Sequence, residues 1–489
     1  MELTAIGIAM VVAGIWIALV GRLQHALGFL MFCALFNGSS AIDLPALGGS
    51  SIPPVQFALL FVYLRLVLPG RGSLPDLPRA LRANRWFAAF ALYGIASSFI
   101  LPRMFAGAID VAPMRALRTG GLFATVPLEP TSQNFTAASY LLGALLVVLA
   151  VWTMMRRPNM AAAMVATLVG MAWFHAATGV IAALVRETPV DAIFNFFRNS
   201  SYDQMNDAVG GFARIRGVLP EASTYASIGF ALFVANAELW YRSVRPRSTG
   251  TAALAMGLVL FFSTSSTAYL ALGLYGLVFM ARTLALPQVA DFRKARIALA
   301  ALFGALFLGA VLMLLAPELI RSLIDVVKRM TIEKSASDSS LQRVFWALQG
   351  WEAFRFSWGF GIGAGSFRSS SLLFAILGSM GVIGIVTLAT YLVGLLQPSR
   401  RSSWVATDNE PDTVGGALGV AAVLSLVPAM VNSPSAVPGV MFAFLAAGSL
   451  ALRPHMIELR AAQRRPQGRD QQLGQEMLDE LRQEGLARR

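Results

Sequence analysis

The sequence predicts an all-α protein, a polytopic membrane bundle of about thirteen transmembrane helices. Of its 489 residues, 56% are hydrophobic and only 13% are charged, a composition typical of membrane-spanning chains. Apolar runs near the length that crosses a bilayer recur throughout the chain. The candidate spans lie at about residues 4–20, 26–44, 55–69, 86–101, 135–154, 161–184, 218–238, 251–264, 267–281, 297–315, 371–396, 415–432 and 437–452.

Arginine clusters in short loops predict the orientation, because cytoplasmic loops carry an excess of basic residues. These clusters alternate with uncharged or longer loops, so the N-terminus is expected outside and the C-terminus in the cytoplasm. The first apolar run has no basic leader and no cleavage site, and we interpret it as a span. The clusters are Arg71/Arg79/Arg82/Arg85, Arg156/Arg157, Arg242/Arg245/Arg247, Arg293/Lys294/Arg296 and Arg400/Arg401.

The apolar stretch 251–281 is too long for one comfortable span and short for two. Both of its flanks are rich in arginine and therefore lie on the same side, which requires an even number of crossings. We expect two short helices, broken at Ser263–Thr267. Non-helical backbone is not tolerated in lipid, so the break should face a protein cavity or water.

Three segments are too long for simple turns and are expected outside the membrane, at about 102–134, 185–217 and 316–370. The last is a large loop with amphipathic helical patterns at 318–330 and 341–356. The predicted organisation is a transmembrane domain over 1–454, which includes these loops, and a cytoplasmic tail over 455–489.

The remaining composition narrows the function classes. The net charge is +13, nearly all from arginine, and positive-inside loops account for most of it. Nucleic-acid binding is not expected, because no soluble basic domain is present to carry it. Cys33 is the only cysteine, which excludes an intramolecular disulfide and a thiolate metal cluster. We find no Walker, HExxH, CxxC or Asp-x-Asp signature where it would act, so no metal and no cofactor is predicted.

Four arginines in the outer loops border apolar spans, where a lone charge is costly: Arg214, Arg216, Arg343 and Arg368. Guanidinium groups bind phosphate oxygens in a bidentate fork, and a lipid diphosphate is the expected anion at that depth. The alternative is simple tolerance of arginine in long translocated loops.

Glu221 is the only carboxylate in residues 208–237. It follows Pro220, a favoured first residue of helices, so we place Glu221 in the first turn, where the helix dipole favours an anion. Two interpretations stay open. Glu221 is either a helix-start acid paired with Arg216 or a general base kept ionised by the arginines.

A glycine-rich segment, "GFGIGAGSFRSSS" at 359–371, precedes a late span. Glycines allow the backbone to approach a ligand closely and expose N–H groups at a helix start. Arg368 and three serines follow the glycines, which favours a binding role for this loop.

Four stretches within roughly residues 210–390 resemble the O-antigen ligase and polysaccharide polymerase superfamily of bacterial inner membranes. "RIRGVLPEASTYA" is similar to the pattern Arg-x-x-Gly-(x)3-Glu-x-Ser-x-x-Ala of exopolysaccharide members, with Arg214 as the motif arginine and Arg216 as an additional one. "FFSTSSTAYLAL" is similar to a Ser-rich broken helix, and "SSLQRVFWALQGWEAF" to an Arg-x-x-Trp loop helix. "GFGIGAGSFRSSSLLFAILGSMGVIG" is similar to the Gly-rich loop that leads into a late span.

The resemblance implies a GT-C-like fold and metal-independent, inverting transfer of an undecaprenyl-diphosphate-linked glycan to an acceptor hydroxyl at the periplasmic face. Ligases of this superfamily carry a His near the end of the large outer loop, whereas this chain has no His between 176 and 454. That departure favours a polymerase of exopolysaccharide or O-antigen repeat units over an O-antigen ligase. Expected partners are lipid-linked donor and acceptor glycans, membrane lipids, and flippase, chain-length or export proteins of the same pathway.

Under this hypothesis Glu221 takes the proton of the acceptor hydroxyl and Arg216 stabilises the charge that develops on the diphosphate. A rival of another class is a lipid-linked glycan transporter, for which we would expect paired repeats and charges at the membrane midplane. The residues predicted to bind diphosphate or sugar oxygens are Arg214, Arg343, Arg368, Ser223, Ser265 and Ser369.

Overall fold

The computed structural model of the protein describes residues 2–44, 50–68, 76–115, 121, 123–198, 208–209, 212–285, 293–294, 296–297, 300 and 338–453. Its helices are α1 (Ala5–Leu19), α2 (Leu23–Cys33), α3 (Pro54–Val67), α4 (Leu77–Ala83), α5 (Arg85–Met104), α6 (Ser132–Met155), α7 (Met160–Leu184), α8 (Asp191–Phe196), α9 (Ala222–Tyr241), α10 (Pro246–Phe262), α11 (Ser266–Ala285), α12 (Asp338–Phe356), α13 (Leu372–Leu396), α14 (Glu410–Leu424), α15 (Ala429–Asn432) and α16 (Val440–Leu452). Short antiparallel pairings join β1 (Glu2–Leu3), β2 (Ile42–Leu44) and β3 (Ser50–Ile52), then β4 (Asp110–Val111) with β5 (Val126–Pro127), and β6 (Ala208–Val209) with β7 (Phe212–Ala213).

The protein is mostly helical, and the predicted transmembrane character is confirmed in its coarse form. Among the described residues, six helices are long and apolar enough to cross a membrane: Arg85–Met104, Ser132–Met155, Met160–Leu184, Ser266–Ala285, Leu372–Leu396 and Glu410–Asn432. Shorter apolar helices lie at Ala5–Leu19, Leu23–Phe36, Pro54–Val67 and Val440–Leu452. The count of about thirteen crossings and the GT-C-like arrangement stay predictions.

Two of the predicted spans need comment. The span expected at 26–44 is too long, because the helical segment ends at Phe36 and Ile42–Leu44 pairs as a strand with β1 and β3. The span expected at 297–315 lies almost wholly outside the described residues, as do the amphipathic pattern at 318–330 and the tail at 455–489. The chain divides into two compact units, residues 1–452 and 453–489.

Helix α9 lies at the centre of the first unit. It packs against α7, α10, α11 and α14, and large side chains along it, including Tyr225 and Phe230, are fully buried. Small residues let the neighbouring helices approach: at Gly229 an added Cβ would lie 3.0 Å from Met256 and 3.1 Å from Leu260 of α10. The side chains at both ends of α9 are therefore held in fixed positions by the surrounding helices.

The predicted helix break is confirmed. Helix α10 ends at Phe262 and α11 begins at Ser266, with Thr264 between them at a φ of 50°. Ser263 and Ser265 are buried at 0% and 1% exposure, whereas Phe261 and Phe262 are more than half exposed. The polar backbone of the break therefore faces protein, as the hydrogen-bonding cost of lipid exposure requires. The cavity expected beside the break stays a prediction.

A second, smaller core lies among the long loops between the helices. It consists of Val111, Leu128, Ala353, Ile362 and Phe367, and we call it the loop core. These residues come from the β4–β5 hairpin, from α12 and from the glycine-rich segment. The helix predicted over 341–356 is confirmed as part of α12, and Ala353 on it belongs to this core. Its apolar residues Leu341, Val344 and Leu348 are half exposed, so the predicted packing of its apolar face stays a prediction.

Candidate functional site

The arginine-bearing segment before α9 is held in place by Tyr225. Its ring stacks on His175 of α7 with centroids 3.9 Å apart, and its hydroxyl donates to the His175 carbonyl oxygen at 2.8 Å. Gly217 has a φ of 55°, in the left-handed region that favours glycine, and a Cβ there would lie 3.0 Å from the Tyr225 ring. His175 is thus engaged in packing α7 against α9, and the segment that carries Arg214 and Arg216 folds over this contact.

Tyr225→Phe is expected to lower the free energy of unfolding by about 1 kcal/mol, because the ring stack remains while one buried hydrogen bond is lost. The measurement is thermal or denaturant unfolding of the purified protein in detergent. Tyr269→Phe, at a half-buried position of α11, is the matched control. Equal stability of the two variants would show that the Tyr225 hydroxyl contributes nothing.

Four arginines line a small cavity beside this segment. Arg198 donates to the Gly217 carbonyl oxygen through Nε at 3.2 Å and also through Nη2, and its Nη1 lies 3.9 Å from the Asp191 carboxylate. The enclosed volume is about 20 Å³, room for a single water. The described residues that line it include four arginines and one acid, Asp191. The cavity is lined by Ala182, Ala183, Arg186, Asp191, Arg198, Arg214 and Arg216.

Glu221 is the N-cap of α9, and its predicted place in the first turn is wrong by one residue. Its backbone is extended, with φ −134° and ψ 146°, and the helix begins at Ala222. An N-cap keeps non-helical angles while its carbonyl accepts the first helical hydrogen bond, here from the Tyr225 N–H at 3.0 Å. The helix dipole still favours the anion at this position.

Ser223 hydrogen bonds to the Glu221 carboxylate. Its hydroxyl donates to Glu221 Oε2 at 2.7 Å, and the side chain is only 5% exposed. Ser223 therefore orients the carboxylate, and its predicted binding of sugar or phosphate oxygens stays a prediction. The second carboxylate oxygen, Oε1, is the atom that could receive a proton.

Arg343 and Arg368 are brought to one place by α12 and the glycine-rich segment. The Arg368 guanidinium carbon lies 4.2 Å from the Trp346 ring centroid, within the contact range of a cation–π pair. Ser370 Oγ donates to the Arg343 carbonyl oxygen at 2.5 Å, and the Arg368 N–H donates to the Ala112 carbonyl oxygen at 2.9 Å. The Arg-x-x-Trp helix and the glycine-rich segment therefore act as one unit.

The other two predicted serines differ in their surroundings. The Ser369 hydroxyl is 2% exposed and donates to the Ser371 carbonyl oxygen at 3.2 Å, so it stabilises its own turn. The hydroxyls of Thr264 and Ser265, in the helix break, are buried without a hydrogen-bond partner among the described residues. A buried polar group that lacks a partner is costly, so Ser265 is the serine of the set best placed to meet a ligand or water.

Two glycines of the glycine-rich segment lie directly against protein backbone. A Cβ on Gly361 would lie 2.5 Å from the Ser379 carbonyl carbon, and one on Gly365 would lie 2.4 Å from the Gln133 carbonyl oxygen. Their φ values, 86° and 84°, are also in the region that favours glycine. Gly381, at φ 58°, kinks α13 where the segment packs on it. Close approach of the backbone at these glycines is confirmed against protein, and its use for a ligand stays a prediction.

Gly365→Ala is expected to destabilise the protein by roughly 2 kcal/mol or more, because it combines a strained φ with a clash against the α6 backbone. Gly273→Ala in α11, where an added Cβ meets nothing within 4 Å, is the matched control and should be neutral or stabilising. Unfolding midpoints in detergent measure both variants. A Gly365→Ala midpoint equal to that of the control would contradict the predicted clash.

A buried charge cluster at the other end of α9 was missed by the sequence analysis. Glu238 is 1% exposed and pairs with Arg242 one turn on and with Arg282 of α11, whose Nη1 lies 2.8 Å from the carboxylate. Tyr275 donates its hydroxyl to Glu238 Oε1 at 3.0 Å, and Arg242 also donates to the Ser403 carbonyl oxygen at 3.0 Å. Arg242, which the sequence analysis assigned to a cytoplasmic loop cluster, is 2% exposed.

A local signal for part of this cluster exists in the sequence. Glu238 and Arg242 have the i, i+4 spacing of helical ion pairs, which places both side chains on one face of α9. Arg282 lies 44 residues after Glu238 in the chain, so no local spacing predicts its contact with the carboxylate. We call Glu238, Arg242, Tyr275 and Arg282 the inner cluster.

The predicted site residues thus form separate local groups. Arg214 and Arg216 lie with Glu221 and Ser223 on one continuous segment at the start of α9. Arg343 of α12 and Arg368 of the glycine-rich segment form a second group, joined through Trp346 and Ser370. A hydrogen bond of 3.1 Å from the Ser369 N–H to the Pro434 carbonyl oxygen connects this group to the segment after α15.

Comparison with known proteins leaves the chain unassigned. No family model matches it, and no curated protein matches it.

Proposed function

We propose that the protein is a GT-C-like glycosyltransferase of the bacterial inner membrane, which polymerises undecaprenyl-diphosphate-linked repeat units of an exopolysaccharide or O-antigen at the periplasmic face. The observation that carries the proposal is the segment at the start of α9, which joins the arginine-lined cavity to a carboxylate oriented by Ser223. A periplasmic N-terminus, a cytoplasmic C-terminus and about thirteen crossings belong to the same proposal.

In this proposal Glu221 is the general base. Ser223 occupies Oε2, so Oε1 accepts the proton of the acceptor hydroxyl as its oxygen attacks the anomeric carbon of the donor. Attack from the face opposite the leaving group inverts the anomeric centre.

The arginines act on the leaving group. As the bond between the anomeric carbon and the phosphate oxygen breaks, its electron pair moves onto undecaprenyl diphosphate. Guanidinium groups fixed before the reaction stabilise that charge without reorganising, and this form of electrostatic catalysis needs no metal ion. The cavity holds only about one water, so the phosphate binds at its mouth, against Arg214 and Arg216. Arg343 and Arg368 are proposed to contact the same diphosphate.

The test is the set of lipid-linked products that accumulate when the gene is deleted. Unpolymerised repeat units would support the polymerase. Long chains that are not attached to their final acceptor would indicate an O-antigen ligase instead. If deletion of the gene abolishes export and the purified protein does not polymerise repeat units, the protein is a lipid-linked glycan transporter.

A further inference from the structure

A second cavity lies in the outer-loop layer and shares no lining residue with the arginine cavity. Its volume is about 430 Å³, within the usual range for small-molecule sites. The β4–β5 hairpin forms one wall through Val111 and Val126, and the first turn of α6 forms another through Ser132 and Gln133. Ser366 of the glycine-rich segment completes it.

The walls of this cavity are held in place by the loop core and by hydrogen bonds across the chain. Asn134 donates through Nδ2 to the Ala364 carbonyl oxygen at 2.9 Å and to Ser366 Oγ at 3.1 Å, which fixes the glycine-rich segment to α6. The Ala112 N–H donates to Gln349 Oε1 at 3.1 Å, which fixes the hairpin to α12. A ligand would therefore enter a site that is already formed.

The lining combines apolar surface with hydrogen-bonding groups. Pro113, Met114 and the two valines present apolar faces. The Gln133 Nε2 group is buried and has no hydrogen-bond partner among the described residues, so it is available to an acceptor oxygen. Arg115 and Glu129 contribute one charge of each sign. A sugar ring, with apolar C–H faces and a rim of hydroxyls, matches this mixture better than an alkyl chain or a phosphate.

We infer that this cavity binds the saccharide portion of a lipid-linked glycan, an inference that rests on the proposed polymerase function. The glycine-rich segment connects the two parts: Ser366 lines the cavity, and Arg368, two residues later, belongs to the proposed diphosphate set. A glycan whose diphosphate contacts Arg368 would have its sugars next to this cavity. Gln133 is the group that recognises a sugar oxygen, and the hairpin provides the apolar floor.

The test is a binding measurement that needs no catalysis. The probe is a set of oligosaccharides released by partial hydrolysis from the surface polysaccharide of the producing cell, without lipid or diphosphate. Saturation-transfer NMR on the full chain in detergent gives the affinity. Ser132→Trp places a bulky ring at an exposed position of the cavity wall and should weaken binding at least roughly tenfold. Phe135→Trp, on the same helix at a residue that is 51% exposed and does not line the cavity, is the matched control.

Gln133→Ala is the second variant, since it removes a side-chain amide nitrogen that has no partner among the described residues and should leave the fold intact. It should weaken binding several-fold. No binding by the native protein, or equal binding by native protein and both cavity variants, would overturn the inference. Glu221→Gln should bind the probe normally. If the probe binds at this cavity while elongation fails in the native protein, the polymerase proposal is wrong and the saccharide site stands.

Discussion

Glu221→Gln is expected to reduce the rate of repeat-unit elongation by roughly 10²–10⁴-fold, the range that a positioned general base contributes. The amide has the size of the carboxylate and can still accept the hydrogen bond that Ser223 donates to Oε2 at 2.7 Å. It cannot take up the acceptor proton at neutral pH. The variant should therefore fold normally and bind substrate while turning over slowly.

The assay is elongation of a purified lipid-linked repeat unit by the purified protein. Glu187→Gln is the matched control, because the Glu187 side chain is 88% exposed. Ser223→Ala should lower the rate less than Glu221→Gln, since it removes the partner that orients the base and leaves the base itself. Full activity of Glu221→Gln would remove the base role and leave Glu221 as a helix cap.

Glu238→Gln is expected to lower the free energy of unfolding by about 3–5 kcal/mol, the range for breaking a buried ion pair. The carboxylate is the only acid of the inner cluster, and without it the guanidinium groups of Arg242 and Arg282 share a buried site with no compensating charge from the described residues. Arg282 also stacks on Tyr241 at 4.1 Å, a contact too weak to replace the ion pair. The loss should appear as a large drop in the unfolding midpoint in detergent.

Adding Arg282→Met to Glu238→Gln should recover part of that stability, because the second change removes one of the two uncompensated charges. Glu187→Gln again serves as the exposed control. If the unfolding midpoint of Glu238→Gln equals that of Glu187→Gln, water or lipid headgroups already solvate the inner cluster. The inner cluster would then not stabilise the packing of α9 against α11.

Much of the fold followed from local patterns. Apolar length predicted helices close to those at Arg85–Met104, Ser132–Met155 and Met160–Leu184. Charge on both flanks predicted the break between α10 and α11 from parity alone, and the structure places it at residues 263–265. These predictions succeed because bilayer thickness and charge asymmetry act on continuous stretches of chain.

The site was predictable only in part. The spacing of Arg214, Arg216 and Glu221 drew attention to the start of α9, but whether Glu221 lies before or inside the first turn depends on one pair of backbone angles. The hydrogen bond from Ser223 to Glu221 depends on the same backbone angles. Residue type pointed the other way, because serine is favoured at N-caps and glutamate is favoured inside the first turn.

By itself, then, the sequence determined a helical membrane protein, the position of its broken helix and the candidate segment before α9. The tertiary structure alone decided which distant groups meet. Gly365 lies against the Gln133 backbone, and Arg282 reaches Glu238 across 44 residues. The physical reason is that helix length and amphipathicity are summed over neighbouring residues, whereas burial of a charge or a glycine depends on contacts between segments remote in the chain.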